Sequence, residues 1–206
     1  MILECPELKR IVSGVCDTHG AAQKPTEFGT LLEMIYPLCP LSRVLEIGTA
    51  GGGTLWAWLQ LGYDGATVIS VDNDAYHAKS LDIFRSWARR EGCANQTLEL
   101  IREDSHSPDA LRRVQEILDG EKVDLLHIDG DHSYDGVQLD WEMYSPLVSG
   151  VVVFHDINTH SGAPEVQVKA FWDKVKADYP HVEIIDPRGD RGWGADWAGI
   201  GVLFKP

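Results

Sequence analysis

Apolar runs recur along the chain at 43–47, 66–71, 97–102, 123–128, 149–154, 182–186 and 198–204. The first five are short and close to continuously apolar, the pattern of strands covered on both faces. Segments of helical period fill the intervals at 26–37, 53–61, 75–91, 107–119, 134–145 and 164–178. Thr54, Asp74 and Ser107 stand where a side-chain oxygen can cap a first turn. Strand and helix alternating at this length build a parallel sheet with helices on both faces. The end of the chain breaks the rhythm. No helix separates 182–186 from 198–204; a glycine-rich stretch, Pro187 to Trp197, joins them instead. Strands linked in this way pair most easily as antiparallel neighbours.

The pattern therefore predicts an α/β fold: a Rossmann-like, doubly wound, mostly parallel seven-stranded sheet closed by an antiparallel C-terminal hairpin. No repeat or low-complexity segment divides it. The expectation is one domain over 1–206, with 1–30 as an N-terminal cap segment.

Chemistry gathers where the strands end. Val44-Leu-Glu-Ile-Gly-Thr-Ala-Gly-Gly-Gly-Thr54 runs from an apolar strand through an acid and a glycine turn into a helix. Glycines there let backbone approach a ligand closely and adopt positive φ. Asp72 ends the next strand, at a spacing suited to a carboxylate that accepts from ribose hydroxyls. The remaining ends read Glu103-Asp104-Ser105, Asp129-Gly-Asp131-His132 and His155-Asp156-Ile-Asn158. Every strand end at this edge carries an acid, and ligands of open α/β sheets bind outside the carboxyl ends of the strands. If the strands ending in Asp129 and Asp156 are neighbours, two carboxylates face each other. They repel unless one is protonated or a cation lies between them, and a hard ion such as Mg²⁺ suits such donors.

Composition narrows the partners. With 206 residues, 44% hydrophobic and 24% charged, the chain has the balance of a water-soluble domain with a real core. The net charge of −14 argues against nucleic acid and against an anionic membrane surface. No apolar run nears the roughly 20 residues of a membrane span, and the first residues do not read as a signal peptide. Four scattered cysteines (5, 16, 39 and 93) form no CxxC pair, which suits idle thiols in a reducing cytoplasm.

From about Leu31 to Phe204 the chain resembles the class I S-adenosylmethionine-dependent methyltransferases. Glu46-x-Gly48-x-Ala50-x-Gly52 is similar to their first motif, with Ala50 where glycine is common. Within that class, Leu126-His-Ile-Asp-Gly-Asp-His-Ser-Tyr134 with Phe154-His-Asp156 resembles the cation-dependent O-methyltransferases, nearest to a bacterial subgroup of catechol-type, sugar and cephalosporin-hydroxylase-like members. The resemblance implies S-adenosylmethionine held by Glu46, Gly48, Thr49, Ala50, Gly52, Thr54, Asp72, Asn73, Asp104, Ser105 and Asp129. Glu46 and Gly48 would shape the methionine end, Asp72 the ribose, and Asp104 with Ser105 the adenine. It implies Mg²⁺ or another divalent cation on Asp129 and Asp156. Catechol-type enzymes carry an asparagine after the second metal aspartate, but Ile157 stands there. Asn158 is taken as the third ligand, with His155, Asp131 or water as alternatives. His132 falls where catechol-type enzymes have a catalytic lysine. With Asp129 it makes the candidate catalytic pair, as a base for an acceptor hydroxyl; a metal or structural role for His132 stays open. A homodimer is an expectation by analogy alone.

Two other functions compete: a non-catalytic S-adenosylmethionine-binding protein, and a metal-dependent hydrolase using Asp129, Asp131 and His132. A short-chain dehydrogenase would want Tyr-x-x-x-Lys, which neither Tyr134 nor Tyr144 offers. Trp56 and Trp58 are expected in the core. Trp193 and Trp197 flank the hairpin connection, either as packing anchors or as cover for an acceptor. Thr26 to Gly29 are expected near the cofactor, and His127 inside its strand.

Overall fold

The structure, a computed structural model, describes residues 5–19, 21–73, 95–188 and 194–205. The expected helix at 75–91, the Asp74 cap, Cys93 and Trp193 lie outside these residues. Seven strands form one sheet: β1 Leu41–Ile47, β2 Gly62–Asp72, β3 Thr97–Arg102, β4 Val123–Ile128, β5 Val148–His155, β6 His181–Ile184 and β7 Ile200–Phe204. Their order is β3-β2-β1-β4-β5-β7-β6. The first five are parallel, while β7 runs antiparallel to both β5 and β6. The expected doubly wound sheet with its antiparallel hairpin is therefore what forms.

The described helices are α1 Pro6–Ser13, α2 Pro25–Ile35, α3 Gly53–Leu61, α4 Pro108–Leu118, α5 Tyr134–Tyr144 and α6 Val168–Val175. Ser107 caps α4 as expected, accepting from the Ala110 N–H. Thr54 lies in the first turn of α3, whose cap is Gly52 in the left-handed region (φ 78°). The helix expected over 164–178 starts only at Val168, after a loop. Within the expected cap segment, α1 and the following π-helical turn Gly14–Thr18 form a helical arm. Its signal is the helical spacing of Leu8, Ile11, Val12 and Val15, all buried.

Alternation along the strands separates two cores. Val44, Leu125, Val151 and Val153 face α1, α2 and α3, packing on Phe28, Leu32 and Trp58. Their neighbours Leu45, Leu126, Val152 and Phe154 face α4, α5 and α6, packing on Val114, Phe171 and Trp172. This two-sided burial is why the runs are apolar throughout rather than alternating. Trp58 is fully buried, as expected. Trp56 instead lies at the core margin, against His19 and Arg10 of the N-terminal arm.

Strand order reverses between β1 and β4. The backbones part there: Gly48 N–H donates to Val71 O on one side, and Asp129 N–H donates to Ile47 O on the other. A crevice opens at such a switch point, beyond the carboxyl ends of the strands.

Candidate active site

A cavity of about 770 Å³ occupies this crevice, within the size range of small-molecule sites. Its two walls are built differently. The wall beyond β1 and β2 is largely backbone. The glycine loop turns into α3, so the start of that helix, Gly53 and Thr54, lines the crevice, and a helix N-terminus favours electron-rich ligand groups. Asp72 at the end of β2 fastens the loop: one of its oxygens, Oδ2, accepts from the Thr49 N–H at 2.7 Å and from the Ala50 N–H at 3.1 Å. Ala50 is left-handed (φ 44°), which explains why glycine is common at its place in similar motifs. Gly48, Thr49, Ala50, Thr54, Asp72, Asn73, Asp104 and Ser105 all line the cavity. Asp104 closes an Asx turn onto the His106 N–H, and Ser105 O accepts from the Tyr144 hydroxyl at 2.6 Å.

Beyond β4 and β5 the wall is made of side chains. Parallel pairing of these strands sets Ile128 beside Phe154, so Asp129 and Asp156 leave the sheet close together. His132 bridges them, with Nε2 at 3.3 Å from Asp129 Oδ1 and Nδ1 at 3.4 Å from Asp156 Oδ2. One donor atom from each of Asp129, His132 and Asp156 falls within 4.8 Å of the others. Buried His155 holds the carboxylates from below, its Nδ1 at 3.3 Å from an oxygen of each. Burial by itself would raise the pKa of both acids. His155 and His132 outweigh it for Asp129, and His155 and His160 for Asp156, so both are held well below the usual carboxylate range. The Asp129 hydrogen bond raises the pKa of His132. For His155, burial pulls down but the two carboxylates lift it well above an ordinary histidine. Two ionised oxygens and an imidazole nitrogen this close form a donor set that fits a divalent cation.

The residues singled out in the sequence separate on this frame. Asn158 does not join the acid pair: its amide nitrogen lies 3.4 Å from Ala195 O and its oxygen accepts from the Thr159 N–H. Asn158 does not line the cavity, and the third donor atom near the acid pair is a nitrogen of His132. Asp131 lines the cavity, yet its carboxylate accepts from the Ser133 N–H at 2.8 Å. The Asp129, Asp131, His132 cluster of the hydrolase alternative therefore does not assemble. Glu46 is fully buried beneath the loop, where it accepts from Trp58 Nε1 at 3.0 Å. Buried His127 lies 3.5 Å from the same carboxylate, inside its strand as expected. Glu46 and Gly52 do not line the cavity.

Ala21, Ala22 and Gln23 close the crevice from the N-terminal side, whereas Thr26 and Glu27 bind the β6–β7 connection rather than the cavity. Trp197 is buried and lines the cavity, so it is both anchor and wall. Two participants went unnoticed in the sequence. His160 Nε2 lies 2.9 Å from Asp156 Oδ1, and His106 Nε2 lies 3.3 Å from the buried Asp140.

A family model described as a methyltransferase domain matches residues 45–157, which carry the glycine loop and both acids. No curated protein sequence matches the chain. Solved structures resemble it along its whole length. An O-methyltransferase from Bacillus cereus, in complex with S-adenosylhomocysteine (SAH), is 19% identical, with a TM-score of 0.62, covering 100% of this chain and 93% of its own. A putative O-methyltransferase from Klebsiella pneumoniae is also 19% identical, with a TM-score of 0.59 and coverages of 100% and 93%. An O-methyltransferase of tomaymycin synthesis from Streptomyces achromogenes, in complex with S-adenosylmethionine, is 16% identical, with a TM-score of 0.59 and coverages of 100% and 92%. At these identities the likeness is one of fold.

Proposed function

The chain belongs to the methyltransferase-domain family, and on that premise we propose that it transfers a methyl group from S-adenosylmethionine to a hydroxyl oxygen of a small molecule, assisted by a divalent cation. One observation carries this reading: a single cavity has a glycine loop fastened by Asp72 on one wall and Asp129, His132 and Asp156 on the other. S-adenosylmethionine supplies a methyl group already activated by its sulfonium. The protein's task is to align acceptor oxygen, methyl carbon and sulfur and to keep water out, which supplies roughly 7–11 kcal/mol of a barrier at best. Thr49, Ala50 and Thr54 would hold the methionine end, Asp72 and Asn73 the ribose, and Asp104 with Ser105 the adenine. Glu46 and Gly52 would support the loop from outside the cavity, and Asp129 would border both halves.

A cation on Asp129 and Asp156 would lower the pKa of the acceptor hydroxyl. His132 suits one of two jobs there. It is the third donor if one of its nitrogens ligates, and the proton acceptor if water completes the coordination. Manganese titration of His132→Ala separates them: a ligand's loss weakens Mn²⁺ binding about tenfold or more, and a base's loss leaves it unchanged while turnover falls.

Calorimetric titration with SAH tests the cofactor reading. Micromolar, one-to-one binding that disappears in Asp72→Ala/Asp104→Ala is the expected result, and a folded native protein that binds no SAH would refute it. Magnesium-dependent turnover on a panel of neighbouring diols then separates an enzyme from a cofactor-binding module.

A further inference from the structure

Lys24 and Glu27 are each only 1% exposed and lie 3.7 Å apart. A buried pair of this kind is weak evidence of stability, because apolar residues of equal volume often serve as well. What distinguishes this one is what it grips. Lys24 Nζ donates to Asp186 O at 2.8 Å and to Ala195 O at 3.2 Å. Glu27 accepts from the Asp186 N–H at 2.7 Å and the Gly199 N–H at 2.8 Å. Four backbone groups near the two ends of the β6–β7 connection are thus fixed to the start of α2. The Thr26 hydroxyl adds a bond to the Asp186 carboxylate.

From the gripped end, bonds run on to the acid pair. Gly199 O and Ala198 O accept from the N–H groups of Ile157 and Asn158, and Asp196 O accepts from the His160 N–H at 2.8 Å. His160 Nε2 lies 2.9 Å from Asp156 Oδ1, to which it donates when protonated, and the backbone nitrogen of Ala198 packs 2.9 Å from the same ring atom. Backbone strain gathers along this path. Five non-glycine residues have positive φ among the described residues, and Asp156, His160 and Ala198 are three of them, with Gly199 (φ 87°) adjoining. Such conformations are costly for non-glycine residues and persist only where surrounding contacts over-determine them.

We infer that Lys24 and Glu27 are positioning residues for the cation side of the cavity: by fixing 195–199 they set His160, and through it the Asp156 carboxylate. The inference rests on the cation-assisted reading above. Among the described residues, the backbone groups bound by the two side chains lie at 186–199 and not in the glycine loop, so a selective defect is expected. Lys24→Met/Glu27→Gln removes both charges together, leaving neither ion buried alone. Mn²⁺ binding, followed by electron paramagnetic resonance, should weaken about tenfold, the low end for partners behind a metal ligand, while SAH affinity changes less than twofold. Glu27→Gln alone, which keeps one acceptor oxygen, should weaken Mn²⁺ in the same direction by a smaller factor and provides the test if the double variant does not fold. Unchanged Mn²⁺ affinity, or equal losses for Mn²⁺ and SAH, would overturn the inference. A native protein that binds SAH but not Mn²⁺ would instead overturn the cation reading, and the inference with it.

Discussion

The two walls of the cavity solve the same problem by opposite means. On the β1–β2 side, the glycine loop and a helix start line the crevice, and one carboxylate, Asp72, fastens the turn through its backbone N–H groups. On the β4–β5 side, two carboxylates are held by three histidines, His132, His155 and His160. A wall of backbone is specified by one contiguous motif. A wall of side chains depends on strand register and on distant loops, so it can be damaged from far away. The contrast predicts that the walls separate under mutation except where they touch.

They touch at Gly48, so the largest effect is expected there. Its φ is +85°, and a Cβ would come within 2.0 Å of the Asp129 carbonyl oxygen and 2.9 Å of the Gly130 Cα. Backbone cannot retreat as a side-chain tip can. Gly48→Ala should cost more than about 4 kcal/mol or prevent folding, whereas Gly51→Ala, whose nearest neighbour would be 3.6 Å away, should shift stability by less than about 1 kcal/mol. Thermal melting of the two variants checks the pair. Equal melting points would mean that the walls are not joined at Gly48.

Asp156→Ala comes next and bears on one wall alone. If the cation reading holds, turnover should fall about 10³-fold, corresponding to about 4 kcal/mol of transition-state stabilisation. SAH affinity, read by calorimetry, should stay within about twofold of native. Parallel loss of turnover and SAH binding would merge the two walls into one unit and remove the comparison.

Legibility in the sequence follows the same division. The glycine loop, Asp72 and the acid at each strand end are local signals. The pairing of Asp129 with Asp156 followed once their strands were taken as neighbours. Asn158 lies apart from the acid pair because its side chain is engaged by Ala195 O and the Thr159 N–H, contacts that no spacing encodes. His160 was invisible for a similar reason: it meets Asp156 through a loop held by Ala198, 38 residues further on. Lys24 drew no reading, and Glu27 only an expected place near the cofactor, because the backbone they bind lies about 160 residues away. Glu46 was assigned to the cavity because it sits in the motif. Its strand phase turns it inward to Trp58, Ser70 and His127 instead. The arm Pro6–Ser13 did carry a signal, its helical spacing of apolar residues, outside the strand–helix rhythm that organised the rest.

The smallest expected effect concerns another buried acid, on the cofactor side. Asp140 is fully buried beneath Gly130, near His106 Nε2 at 3.3 Å. Burial pushes its carboxyl up to about 6, and the neighbouring Ser105 and His106 offset that only in part. Asp129 and Asp156 are less enclosed, with side chains 21% and 10% exposed, and sit among several histidines, so they move the opposite way. The difference lies in how many cationic partners each acid has. An acid whose folded pKa lies above its unfolded value binds more protons folded than unfolded between the two. Stability therefore falls as pH rises from about 4 to about 6, and the cost is complete above that. Asp140→Asn removes the charge. It should match the native protein at pH 4 and exceed it at pH 7.5 by about 3 kcal/mol, or about 6–12 °C in melting temperature for a chain of this size. A variant less stable than native at pH 7.5 would show that His106 fully compensates the buried charge, and the two sides of the cavity would then hold their acids by the same means.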